Sequence, residues 1–194
     1  MMPSPTSPDT LSVLLARTAA VMLDGMADLV DSPMIVALMR SGRLLADVTI
    51  PSVTDVERID ALLALRLLAR SVSADAIGVV LDVWVGTDPT QDPSEDPNAN
   101  NALLALGILP EAQVSRILYY TVGDDGVAAL DVETTVARTQ QLRLVEQWSL
   151  EGQVIETLAP AIRAPELLER LVPMDAARRL VDLGAIVAID RACE

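Results

Sequence analysis

Five carboxylates fall within fifteen consecutive residues: Asp82, Asp88, Asp92, Glu95 and Asp96. Carboxylates at this density suit two kinds of chemistry. A pair can serve as general acid and general base, or several can surround a hard cation such as Mg²⁺ or Ca²⁺ that activates water. These five are the metal-site candidates, and they carry the enzymatic reading of the chain: a carboxylate-based metal-dependent hydrolase or metal-binding protein. Their spacing departs from the EF-hand calcium loop, because prolines occupy key positions and no Gly stands in the middle. A solvated acidic loop accounts for the same residues without a ligand.

Most other chemistry is excluded by composition. The 194 residues include no His and a single Cys, and all fourteen basic residues are Arg. Without His there is no nucleophile–histidine pair and no imidazole metal ligand. Without Lys there is no P-loop and no Schiff base. A lone Cys193 supports neither a zinc cluster nor dithiol redox chemistry, and with no partner for an internal disulfide it fits a reducing compartment. No Gly-x-Gly-x-x-Gly motif is present, so no cofactor is expected. Arg163, Arg170, Arg178 and Arg179 could contact phosphates, but Glu166, Glu169, Asp175 and Asp182 lie at helical spacing from several of them, which makes local ion pairs the default.

The net charge of −14 is unevenly spread. Residues 1–134 hold seven Arg against nineteen Asp and Glu, a balance of −12; residues 135–194 hold seven against nine, or −2. Such an acidic lobe repels phosphate backbones and argues against nucleic-acid binding. No apolar run reaches the ~20 residues a membrane helix requires, and the Pro/Ser-rich start lacks the basic residues of a signal peptide. These features imply a protein of the cytoplasm, or of a virion if phage-encoded.

The elements that would hold these residues read as follows. Ser7-Pro8-Asp9 opens a helix reaching about Val30, with Leu11, Leu15, Met22, Met26 and Leu29 on its apolar side. Asp31-Ser32-Pro33 starts a short helix that Gly42 ends, and Arg43–Ile50 reads as a strand closed by Pro51. Thr54-Asp55-Val56-Glu57 is a capping box for a helix to about Arg70. That helix has a narrow polar face at Arg58, Arg66 and Arg70, with Leu62 among them. Ala76–Val85 is a strand, Gly86–Asn101 an exposed Asp-Pro loop, Ala102–Ile108 a second strand, and Val114–Val122 pairs with Val127–Glu133 around Gly123-Asp124-Asp125-Gly126. A helix is expected from Thr135 to about Leu150. Short helices punctuated by Pro160, Pro165 and Pro173 then follow, the last running toward Ile189. The fold class is α+β: an antiparallel β-meander of about three to five strands flanked by N-terminal and C-terminal helices. Residues 1–134 form an α+β core domain, and residues 135–194 form a C-terminal helical segment packed on it as one structural unit.

Asp82-Val83-Trp84, then Pro93-Ser94-Glu95-Asp96-Pro97-Asn98, then the apolar run Ala102–Gly107 resemble a group of small bacterial and phage proteins. In that group a strand ending in acid-x-Trp precedes a Pro-Ser-Glu-Asp-Pro-Asp-Arg loop and another strand. Asn98 and Ala99 depart from the pattern where an Asp-Arg pair is expected. The resemblance implies a strand–loop–strand unit and a phage or phage-like setting; it carries no activity.

Mean hydropathy is +0.38 and the apolar fraction 51%, although aromatic residues make up only 2%. Surplus apolar surface on a chain stripped of the common catalytic side chains points to burial against copies of itself or another protein. The expected function is therefore non-enzymatic: a structural or protein-interaction protein, a homo-oligomer or part of a larger assembly such as a virion. Ile59, Leu63 and Leu67 on the central helix, with Trp84 and Trp148, are the interface candidates.

Overall fold

The computed structural model describes residues 5–25, 32–51, 55–86, 96–123, 127–130, 136–137 and 150–190. The first helix, α1 (Pro8–Gly25), begins where its cap residues demand: the Ser7 hydroxyl accepts the Thr10 backbone N–H at 3.1 Å, and Pro8 occupies the first turn, where no N–H is needed. Leu11, Leu15, Ala19, Met22 and Leu23 form its buried stripe.

The segment expected as a short helix after Pro33 is a strand, β1 (Met34–Arg40), paired with β2 (Arg43–Ile50). Ser41 and Gly42 both have positive φ, 54° and 75°, which is the geometry of a two-residue hairpin turn twisted to match its strands. Gly42 thus reverses a strand instead of ending a helix. Helix α2 (Asp55–Ser71) then crosses the sheet to β3 (Ala76–Val85). Because β3 and β2 both pair antiparallel with β1, they run parallel to each other on either side of it, and α2 is the crossover between them.

From β3 the chain meanders through β4 (Asn100–Ile108), β5 (Gln113–Val122) and β6 (Ala128–Leu130), with β7 (Val136–Ala137) also on β5. The β5–β6 reversal falls where the Gly-Asp-Asp-Gly run places it, and Gly123 N–H donates to the Val127 carbonyl at 2.9 Å. Helices α3 (Leu150–Arg163) and α4 (Pro173–Asp182) follow. Pro160 lies inside α3 and does not end it. Helix α4 stops at Asp182; Gly184, with φ 85°, turns the chain into β8 (Ile186–Ile189) where continued helix was expected.

The protein is α+β, with helices before and after a single antiparallel sheet. Among the described residues the sheet has eight strands, more than the expected three to five, in the order β6-β5-β4-β3-β1-β2-β8, with β7 beside β5. Helix α1 covers one face over β3, β4, β5 and β6; α2 covers the other, with α3 and α4 packed against it. Two cores result. Leu65, Leu68, Leu106, Ile108, Leu158 and Leu180 belong to the larger, and Leu11, Leu15, Val80 and Leu103 to the smaller.

Two cross-strand glycines bring α1 onto the sheet. Gly78 and Gly107 are register partners on β3 and β4, and Ala37 lies opposite Gly78 on β1. A Cβ at Gly107 would stand 2.6 Å from the Leu11 Cδ2 atom, closer than any real contact. Absent side chains therefore set the helix-to-sheet distance here.

Candidate functional site

Of the five carboxylates proposed for a metal, two can be placed. Asp82 is on β3, and Asp96 opens the approach to β4; Asp88, Asp92 and Glu95 lie outside the described residues. Asp96 is buried and serves its own turn: its Oδ1 accepts the Asn98 N–H at 2.8 Å and its carbonyl accepts the Ala99 N–H at 3.0 Å. This is the self-capping for which Asp is selected in loops.

Asp82 has a different environment. The Tyr120 hydroxyl donates to its Oδ1 at 2.8 Å. Burial pushes the Asp82 carboxyl above the usual carboxylate range, while hydrogen bonds from Tyr120, Ser32 and the Val83 backbone pull it partway back. Burial also raises the Tyr120 phenol, and the hydrogen bond to Asp82 with its negative charge adds to the rise. The proton therefore stays on the phenol, and one carboxylate oxygen is already occupied. Among the described residues no three acidic or Cys side chains converge on a common point where a metal could sit.

A cavity of about 120 Å³ lies near Asp82, with Ser32 and Arg58 as further polar walls and Met34, Ile50 and Leu81 as apolar ones. That volume holds a few waters and falls below the ~300 Å³ at which pockets for small-molecule ligands begin. Oppositely charged walls in so small a space suit structural water better than a substrate.

The interface candidates are distributed over both sides of the sheet. On α2, Leu62, Leu65 and Leu68 are buried, so the wide apolar arc faces the sheet and the flanking helices as its width required. Leu62, expected within the polar face, is core. The outward stripe is Ile59, Leu63, Arg66 and Arg70, with Ile59 49% and Leu63 36% exposed, and Leu67 is half-buried at its margin. The Arg66 and Arg70 side chains lie along this stripe with each Nε sheltered and without a hydrogen-bond partner. Trp84, 55% exposed, ends β3 on the opposite face, the one α1 occupies, by strand alternation from Ile77, Val79 and Leu81 in the larger core. Trp148 lies outside the described residues. The structure thus leaves Ile59, Leu63 and Trp84 accessible without joining them into one surface.

Among the described residues, Arg163, Arg170, Arg178 and Arg179 do not form the expected local ion pairs. Arg163 donates from Nε to the Leu109 carbonyl and from a terminal nitrogen to the Ala112 carbonyl, each at 3.3 Å, fastening α3 to the β4–β5 turn. Arg43 and Asp190 approach to 3.5 Å at the surface.

Two features escaped the sequence. One is a polar knot: the Thr6 hydroxyl and N–H and the Ser41 N–H all donate to the Asp75 carboxylate, and Gly42 N–H donates to the Thr6 hydroxyl at 2.9 Å. It ties the start of α1 to the β1–β2 turn and the end of the α2–β3 connection. Only the Asp at a turn hinted at it. The other is the apolar surface around α4 and β8, where Leu167, Val172, Met174, Val181 and Ile186 are all exposed. A stretch that reads as short helices punctuated by prolines gives no sign of it.

No protein-family model, curated protein or solved structure matches this chain. Among the described residues no helix is long and apolar enough to cross a membrane.

Proposed function

We propose that this chain is a non-enzymatic structural or protein-interaction protein that works by self-association, in the setting of a phage virion or its assembly. The observation that carries the reading is the outer face of α2. A helix buried by Leu62, Leu65 and Leu68 on its inner side keeps Ile59 and Leu63 exposed on the other. Leaving two large aliphatic side chains in water forgoes about 1.5–3 kcal/mol for each that could be fully buried. Surfaces of this kind are found where a second protein supplies the cover. The site chemistry supports the same reading, since the half-buried Asp82 is committed to Tyr120 and the cavity beside it is too small for most substrates.

Light scattering coupled to gel filtration, at two protein concentrations tenfold apart, tests this. A discrete oligomer, or a mass that rises with concentration, is expected. A mass of 20.7 kDa at both concentrations would overturn self-association.

A further inference from the structure

Helix α2 is divided by charge at its middle residue. It runs for 17 residues from Asp55 to Ser71, which puts Leu63 at its centre. The half before Leu63 holds Asp55, Glu57 and Asp60 against Arg58; the half after it holds Arg66 and Arg70 and no acid. Asp60 is exposed beside Ile59, and Arg66 and Arg70 are half-buried on the outward stripe. Neighbours on a helix surface stand three or four residues apart, so Asp60 reaches neither arginine within its own helix. Among the described residues no ion pair or hydrogen bond engages Asp60, Arg66 or Arg70, and the Nε of each arginine is sheltered without a partner.

We infer that two copies of this chain pair antiparallel along α2, across a two-fold axis through Leu63. This rests on the self-association reading and names the occupant of the α2 face and its direction. Such an axis sets residues equally far before and after Leu63 at one height along the seam. Asp60 of each copy then meets Arg66 of the other, and Ile59 meets Leu67. Both contacts occur twice, and Leu63 faces its own counterpart. Ile59, Leu63 and Leu67 are spaced four apart, the ridge that interlocks when two helices pack at their commonest crossing angle.

Charge selects both the occupant and the direction. Two chains each carrying −14 repel, so a seam between copies forms where cations line it, and the outward stripe of α2 supplies Arg66 and Arg70. Antiparallel pairing joins the acidic half of each helix to the basic half of the other. Parallel pairing would set Arg66 against Arg66 and Arg70 against Arg70, which is repulsive. Helices α3 and α4 pack against α2 and also reach the sheet, at β4 and β8. They flank α2 without covering Ile59 and Leu63, which stay accessible to a second helix.

Sedimentation at several concentrations compares the wild-type chain with Asp60→Arg, Arg66→Glu, the equimolar mixture of these two, and the double variant, with a melting curve for each. The wild type is expected to be a dimer. Each single variant sets like charges together at both pairs and is expected to weaken the dimer by about tenfold or more. Mixing the two variants, or combining both changes in one chain, joins opposite charges again and is expected to restore it. Leu63→Cys in a Cys193→Ser background gives a readout free of charge changes: oxidation is expected to link two copies through position 63. If the wild type associates and neither single variant weakens it, the α2 pairing is overturned while self-association stands. Weakening without rescue overturns the antiparallel register, as does a proven dimer that Leu63→Cys fails to link. A wild type that stays monomeric overturns both the pairing and self-association.

Discussion

Leu11 and Ile186 lie on the same side of one sheet, yet Leu11 is fully buried and Ile186 is 73% exposed. The difference comes from what the strands beneath them carry. Over β3 and β4 the partnered Gly78 and Gly107 remove two side chains, and α1 settles until Leu11 and Leu15 touch the backbone. Among the described residues, α1 packs over β3, β4, β5 and β6. On that face of β8, Ile186 and Ala188 are exposed. One end of the sheet thus buries its apolar residues among the described elements, and the other keeps Ile186 exposed.

The sharpest way to break this contrast is to fill the glycine seat. Gly107→Val is expected to lower stability by about 3 kcal/mol, read as a fall in the denaturant midpoint, because Leu11 cannot retreat without lifting α1. Gly78→Ala should cost about 1 kcal/mol, since its Cβ would stand 3.2 Å from Leu15 Cδ2 and 3.3 Å from Leu11 Cδ1, tight but short of the overlap at Gly107. Asp75→Ala comes next below Gly107→Val. It strips three donors of their acceptor at the start of α1, and a loss of about 2 kcal/mol in chemical denaturation is expected. Ile186→Ser, at the open end, should change the stability of an isolated protomer by less than about 0.5 kcal/mol. If it costs as much as the glycine substitution, the two ends do not differ as described.

Asp82 gives a smaller, pH-dependent signal. Its carboxyl is raised in the folded protein above the ordinary 3.8 by burial, so the folded state holds this proton more tightly than the unfolded chain. Folding is then favoured by this group in acid. The advantage is lost as pH rises from about the ordinary value through the folded one. Asp82→Asn keeps an acceptor for Tyr120 without the charge. Its stability relative to wild type should climb across that window and level off above it, followed by urea midpoints at successive pH values. A constant difference would mean the carboxyl is solvated. Smallest of all, millimolar Mg²⁺ or Ca²⁺ is expected to leave the melting temperature where it was; a rise of several degrees would restore the acidic 82–96 region as a cation site.

How much of this was legible in the residues varied with the kind of signal. Helix α1 announced itself by Ser7-Pro8, β3 by its run of β-branched residues, and the β5–β6 reversal by Gly-Asp-Asp-Gly, because each is a local steric preference. Met34–Arg40 was misread as helix since a strand covered on both faces is apolar throughout and shows no period. Ile186–Ile189 reads as part of the helix before it because four apolar residues in a row show no period, although one face of β8 is exposed, and only Gly184 marks the break. Two of the three additional strands follow from these misreadings; the third, β7 (Val136–Ala137), falls at the start of the helix expected from Thr135. Asp82 drew notice as one acid among five, but Tyr120, which gives it its character, is thirty-eight residues away. Ile59 and Leu63 were picked out by helical spacing and are exposed, while Trp84 faces the other way, since a spacing rule does not say which side of a sheet an element will cover.

The amino-acid sequence alone determined the α+β class and the absence of imidazole and amine chemistry. It also determined the asymmetry of charge between the two parts of the chain. Those depend on composition and on steric preferences that act over a few residues. Tertiary structure alone decided that β8 would join the sheet beside β2, that two glycines would meet under Leu11, and that Asp82 would find Tyr120. Each of these joins residues remote in the chain, and which remote groups meet is set by the packing of whole elements.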